Sequence, residues 1–566
     1  MKKWILMVGF WLIAAIPVQA GDKFYARHEV NYTFDALGKS QVEQNIFLTN
    51  KLSNYYVSAY QILLQGDPIN TISGRDSQGP LKITIEHPSP DQTVAKIAFN
   101  DQIVGKDKTL NFTLNYPGRP AAHNGQVWEV SLPKVGEGGE IDEYNLHLSV
   151  PPSFGQLAFI SPTPASTTER RYNFTLDQVR QVGAVAAFGN FQAFDFTLSY
   201  ELNNPNAQTA IAEIAIPPDT GYQRLIYSSI DPQPDNMTVD TDGNWLATFT
   251  VPPRQKITVT AIGQAHLLAE PTQTRPGLSL TQKQQYLQPT SYWPSADPQM
   301  VELARKLGTA EAIYNYVMNT LKYDQTRVRP GVERKGGLAA LQTPSTSVCT
   351  EFTDLFITLA RAAGIPAREI NGYAYTTNQE LRPLSLGSVF HAWPQYWNEK
   401  RQAWVSIDPT WGNTTGGVDY FNKLDFNHFA FVTHGVSDST PTLAISSADV
   451  KYGVYKEFPP NSLSISWTAP WQIWPLMTNK SKVTIANPLG LAMYRIPLTI
   501  RTLNIVSRFA GPSEIDVLLP YAKRQFDLDI QAPLWPNFTA KKVTLLVASE
   551  AKTYNIEAKL FLAWQI

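Results

Sequence analysis

Only one cysteine, Cys349, occurs in 566 residues. A single thiol closes no internal disulfide and cannot supply the paired cysteines of a structural zinc site. The eight histidines are dispersed and give no zinc spacing. Neither a calcium-binding loop nor a glycine-rich phosphate cradle is present, so no metal or cofactor is expected. Charge is scarce as well: 17% of residues are charged and the net charge is −1. Without a basic stripe to neutralise phosphates, nucleic acid is not expected as a partner.

Long apolar runs are also missing, except at the start. Lys2 and Lys3 precede an apolar stretch from Trp4 to Ile16, and Val18-Gln19-Ala20 gives a small-x-small pattern. This reads as a secretory signal over residues 1–20, with an uncleaved membrane anchor as the alternative. No other segment approaches the ~18 apolar residues a membrane span needs. The expectation is export, to the periplasm, the cell surface or the medium, with membrane contact only through that N-terminal segment. Exported proteins normally use cysteines in pairs. A lone cysteine there is either an accident or a reactive thiol.

What the chain does have is aromatic residues (11%) and 41 prolines, a mixture suited to strand-rich exported domains. Its length calls for three or four domains. From Lys23 to about His266 apolar and polar residues alternate, as in Thr109-Leu110-Asn111-Phe112-Thr113-Leu114 and Phe194-Asp195-Phe196-Thr197-Leu198. Turn-bounded alternation of this density predicts antiparallel β-sandwiches. The expected order is an N-terminal β-sandwich over 21–165, then a second β lobe over 166–270 that is separate from the first or continuous with it. A proline-rich extended connector follows over 271–298, then a central α+β domain over 299–440 and a C-terminal β-sandwich over 455–566. The fold class is therefore multidomain and β-rich with a mixed domain in the middle. In that domain Val301, Leu303, Ala304 and Leu307, then Ile313, Tyr314, Val317 and Leu321, recur at helical spacing, with Gly308 breaking the run into two helices.

The surroundings of Cys349 favour the reactive thiol. Phe352, Leu355, Phe356, Leu359, Ala360 and Ala363 form one helical face, and Gly364 stops the helix. Ser347 or Thr346 is the expected N-cap. Cys349 then sits at the helix N-terminus, where unpaired amides favour thiolate and can bind an oxyanion. A nucleophile also needs a base and a group to orient that base. His391, in Val389-Phe390-His391-Ala392-Trp393, and Asp408, in Trp404-Val405-Ser406-Ile407-Asp408-Pro409, lie on two aromatic-clad strands joined by the polar turn Asn398–Arg401. That hairpin would bring them side by side. Taken singly, His391 reads as a structural histidine and Asp408 as a turn residue. Trp393 and Trp411 read as core cladding, and Asp425-Phe426-Asn427-His428 reads as a turn.

Taken together, the blocks resemble a known family. Cys349-Thr350-Glu351-Phe352, then Arg361-Ala362-Ala363-Gly364-Ile365-Pro366, Gly372-Tyr373, His391-Ala392-Trp393 and Ile407-Asp408-Pro409-Thr410 follow in the order of the transglutaminase-like superfamily, a papain-like group with a Cys-His-Asp triad. The likeness covers roughly residues 300–430. It implies Cys349 as nucleophile, His391 as general base and acid, and Asp408 as the residue holding the imidazole. It implies attack on an amide carbonyl through a thioester, resolved by an amine or by water. By analogy with papain-like enzymes, Gln342 is a candidate second oxyanion donor. One departure is Ser347-Val348, where many bacterial relatives carry a glycine-containing pair. The β region around Gln126-Val127-Trp128-Glu129-Val130 resembles a domain of unknown function found ahead of bacterial transglutaminase-like domains. The implied partner is a protein or peptide substrate, cell-wall peptide included. A cysteine protease and a non-catalytic surface scaffold with a relic triad remain as alternatives, and the oligomeric state is open.

Overall fold

The computed structural model describes residues 23–562 except the segments 136–140, 273–276, 376–389 and 532–540 and several single or paired positions. The expected signal over residues 1–20 lies outside the described residues. Among the described residues no helix is long and apolar enough to cross a membrane. The protein is multidomain and β-rich, with the α+β region in the middle.

The chain divides into two compact units. The first holds the residues up to Ala186 except His123–Val127 and Gln156–Phe159. Its main sheet is built on Phe24–Phe34, which pairs antiparallel with Ser40–Asn50 and parallel with Glu143–Ser149. Alternation does the work here: Val30, Tyr32, Phe34, Val42, Ile46 and Leu48 face inward and are buried. The expected boundary at 165 shifts, because Arg171–Thr175 pairs with Glu143–Ser149 and extends this same sheet.

The second unit holds three parts. A β lobe has Gln192–Asn203 at its centre, flanked by Lys256–Leu267 and by Ile445–Tyr452. The last strand comes from beyond the central domain, so the chain leaves this lobe, builds the α+β domain and returns to finish the sheet. Sequence periodicity carries no sign of such a non-local pairing. The C-terminal part contains paired strands such as Asn479–Ala486 with Lys523–Gln531. One continuous apolar cluster runs through this unit, from Phe196 and Trp245 through Phe429 and Phe431 to Val483 and Leu528.

The segment 271–298 is more than an extended connector. Ser279 caps a short helix, Leu280–Gln285, through a capping box with Gln282. Trp293 is fully buried and donates from Nε1 to Asp354 Oδ1 at 2.8 Å. The helices Pro298–Leu307 and Ala310–Thr320 follow, separated by Gly308 in the left-handed region at φ 73°. Thr309 restarts the chain by accepting from Ala312 N at 3.2 Å.

One helix and four strands position the central site. The helix Cys349–Ala362 packs against an antiparallel sheet ordered Ala403–Ser406, Phe390–Asn398, Ala367–Ala374, His428–His434. Gly372 stands opposite His391 in the register. A Cβ there would lie 2.1 Å from the Phe429 carbonyl oxygen and 2.7 Å from the Trp393 ring. Only glycine lets the strands and the indole come this close.

Candidate active site

Cys349 is the first residue of its helix and is half-buried. The cap differs from the expected Ser347 or Thr346. Val348 is the N-cap residue and offers no side-chain acceptor. Glu351 fills the role from inside the helix, its Oε2 accepting from Val348 N at 2.9 Å. Fully buried, Glu351 is held by Arg327 at 3.1 Å and by the Lys335 amide at 3.2 Å. Ser347 instead ties the approach to the helix onto the segment Lys322–Asp324: its N–H donates to the Lys322 carbonyl, and its carbonyl accepts from Asp324 N at 2.8 Å. The backbone at Cys349 is thus fixed on both sides.

His391 is the second residue of strand Phe390–Asn398 and is 7% exposed. The hairpin forms as its sequence predicts, with Gln395 opposite Ser406 and Trp397 opposite Trp404. This brings His391 Nε2 to 2.8 Å from Asp408 Oδ2. A carboxylate only accepts, so Nε2 carries a hydrogen and Nδ1 is left for the sulfur. The Cys349 thiol is near enough to the ring to bear on its charge. Burial works against a charged imidazole, but the Asp408 carboxylate, its hydrogen bond and the Cys349 contact outweigh it and push His391 up to about 10. At neutral pH the ring so raised holds a proton.

Asp408 is fully buried and also caps the short helix Pro409–Thr414. Its Oδ1 accepts from Thr410 N at 2.9 Å and from Trp411 N at 3.0 Å. Oδ2 accepts from His391 and, at 3.0 Å, from His428 Nε2. Burial alone would raise its carboxyl, but the two histidines hold it well below the usual carboxylate range. The turn reading at Asp425–His428 describes the backbone, with Asn427 N donating to Asp425 Oδ1 at 2.9 Å. It misses what the turn delivers: His428, fully buried, against Asp408.

A family model described as the transglutaminase-like superfamily matches residues 296–409, from the helix before the site through Asp408. Residues 296–409 form a transglutaminase-like core domain. A protein-glutamine gamma-glutamyltransferase of Pseudomonas aeruginosa is 40% identical over 68 residues, 11% of this chain and 10% of that protein. An uncharacterized protein of Mycobacterium leprae is 26% identical over 128 residues, 22% of this chain and 44% of that protein. The chain therefore spans less than half the length of either. Among solved structures, the periplasmic domain of TgpA from Pseudomonas aeruginosa is similar at 16% identity and a TM-score of 0.23, over 39% of this chain and 88% of that one. A candidate cysteine protease from Cytophaga hutchinsonii is similar at 16% identity and a TM-score of 0.34, over 48% of this chain and 94% of that one.

Within the transglutaminase-like domain the other predicted residues fall as follows. Gln342 is the exposed last residue of the helix Gly337–Gln342 and takes no part in the hydrogen-bonded chain at Asp408. Trp393 and Trp411 are buried around His391, the first stacked on its ring at 5.9 Å between centroids and the second at 6.1 Å. They keep water from the His391–Asp408 bond. Tyr323 was not singled out from the sequence as a site residue. Burial, then the nearby Cys349, Asp408 and Glu351, push its hydroxyl above the usual phenol range, so it stands near the sulfur as a neutral phenol. His391, Asp408 and His428 each bring one nitrogen or oxygen to within 4.8 Å of one another. Those atoms are engaged in hydrogen bonds with each other. The segment 376–389, between the strands Ala367–Ala374 and Phe390–Asn398, lies outside the described residues.

Proposed function

We propose that this protein is an exported thiol enzyme acting on amide bonds of proteins or peptides through a thioester on Cys349. The observation that carries this reading is a half-buried cysteine at a helix start near an imidazole whose Nε2 is held by a buried carboxylate. Attack of the Cys349 sulfur on the amide carbonyl gives a tetrahedral intermediate whose oxyanion meets the unpaired amides of the first helical turn. The intermediate collapses as the carbon–nitrogen bond breaks, and His391 gives its proton to the departing amine. His391 then takes a proton from an incoming amine or water as that nucleophile displaces the sulfur. An amine yields transamidation, and water yields deamidation or proteolysis. Against a relic triad stands the completeness of the arrangement, with every acceptor direction of Asp408 filled.

The test compares wild type with Cys349→Ala on a glutamine-containing protein plus a labelled primary amine, read by intact mass. Cysteine-dependent amine incorporation identifies transamidation. Gain of one deamidation unit or cleavage identifies hydrolysis. The absence of any Cys349-dependent change across varied protein and peptide substrates would overturn the enzyme reading.

A further inference from the structure

Beyond the matched segment, which ends at residue 409, the chain adds a second histidine to the same carboxylate. His428 opens strand His428–His434 and is as deeply buried as Asp408. Its Nε2 lies 3.0 Å from Asp408 Oδ2 and its Nδ1 lies 2.7 Å from Asp425 Oδ1. Carboxylate oxygens accept and do not donate, so both ring nitrogens of His428 carry hydrogens. The ring is packed by Trp411 at 4.6 Å, Trp393 at 5.1 Å and Tyr420 at 6.4 Å between centroids, with His391 5.8 Å away. Burial opposes the charged ring, and the two carboxylates overcome it and raise His428 above its ordinary value.

We propose that His428, anchored by Asp425, is a positioning residue that fixes Asp408 and through it the orientation of His391 toward Cys349. This rests on the reading of Cys349, His391 and Asp408 as the reacting residues. Oδ1 of Asp408 is pinned by two backbone N–H groups, which leaves the carboxylate one remaining freedom: a swing of Oδ2 about that pinned oxygen. His428 and His391 share Oδ2, and the site has no water-accessible surface at Asp408 to replace either donor. Without His428, Oδ2 follows the His391 ring instead of holding it. The chain Asp425–His428–Asp408–His391 thus runs from a turn of the backbone to the sulfur, and each link fixes the next.

The test uses two alkylating agents on the single cysteine of the full chain at pH 7. Free thiolates react more slowly with anionic iodoacetate than with neutral iodoacetamide, and a charged imidazole held beside the sulfur reverses that preference. Wild type is expected to favour iodoacetate. His428→Ala should lower the iodoacetate-to-iodoacetamide rate ratio about tenfold, the scale of one hydrogen bond to a charged group. His428→Gln, which keeps an N–H donor, should recover most of it. A loss of stability alone would slow or speed both reagents and leave the ratio unmoved. A folded His428→Ala protein with the wild-type ratio overturns the proposal, as does a His428→Gln protein no better than His428→Ala. Should His428→Ala fail to fold, Asp425→Asn carries the test, since it leaves every side chain at Asp408 in place. Its ratio should fall about threefold as the charged anchor is weakened, and an unchanged ratio overturns the proposal. A wild-type Cys349 that shows the preference of a free thiol would instead sink the active-site reading, and this proposal with it.

Discussion

Replacing Arg334 with methionine should loosen the central domain more than any change at its surface. Arg334 bridges the helix that opens with Cys349 and the strand that pairs with the strand of His391. Its Nη2 pairs with Asp354 on the helix Cys349–Ala362 and lies 3.0 Å from Glu369 Oε2 on the strand Ala367–Ala374. Nε adds a bond to Asp354 Oδ2 at 2.9 Å, Nη1 reaches the Asp438 carbonyl at 2.9 Å, and the guanidinium lies 4.4 Å from the Tyr292 ring centroid. Both carboxylates are essentially buried, at 0% and 1% side-chain exposure. Methionine keeps the apolar stem but leaves two buried carboxylates without their cation. Orphaning a buried pair costs about 3–5 kcal/mol. At about 2–4 °C per kcal/mol for a unit of 150–250 residues, the melting transition should fall by roughly 6–20 °C. Near-UV circular dichroism of Arg334→Met against wild type measures it. The sign of its pH dependence follows from the same charges. Burial already pushes Asp354 up to about 7 despite Arg334, and removing the cation raises it further. A carboxyl whose folded value lies above its unfolded one stabilises at low pH and loses that contribution as pH rises. The deficit of Arg334→Met should therefore shrink between pH 7 and pH 5. A drop of less than about 2 °C, or a deficit that grows on acidification, would refute the bridging role.

Three further outcomes follow from the site. Asp408→Asn should leave the fold intact but cut Cys349-dependent turnover by roughly ten-thousandfold, because the amide turns a donor toward His391 and forces the wrong tautomer. Single-turnover acyl-enzyme formation by intact mass reads this. The His391–Asp408 pair should stabilise the fold between two limits. His391 is raised, so its contribution is full below about 6.5 and is lost as pH rises through about 10. Asp408 is lowered, so its contribution is present above about 3.9 and is lost as pH falls through its folded value. Asp408→Asn should flatten both limbs of a chemical-denaturation series. Gly372→Ala should destabilise the domain by about 1–3 kcal/mol, the usual cost of overpacking, since the new methyl meets Phe429 and Trp393. A urea midpoint unchanged from wild type would contradict that contact.

The parts of this account legible in the sequence are those written locally. Helical spacing and Gly308 marked the two helices before the site, and alternation about a polar turn marked the hairpin that joins His391 to Asp408. The parts that were hidden depend on partners distant in the chain. Val348 serves as N-cap because Glu351 reaches back to it, and Glu351 can be buried because Arg327 and Lys335 meet it there. Strand Ile445–Tyr452 belongs to a sheet begun some two hundred and fifty residues earlier, at Gln192. Trp293 lies in a proline-rich segment, and nothing local says that its indole donates to Asp354. His428 had a local signal, because His428-Phe429-Ala430-Phe431-Val432 reads as a strand following a turn. Nothing local says that the strand's first side chain meets Asp408.

The central claim is that Cys349 is an activated nucleophile, and its uniqueness in the chain makes the claim direct to test. Wild-type protein treated with limiting iodoacetamide at pH 7 should gain one adduct by intact mass, at a rate well above that of the same cysteine in urea-unfolded chain, and His391→Ala should abolish the difference. Alkylation of the folded protein no faster than of the unfolded chain, or a rate indifferent to His391→Ala, would contradict the account.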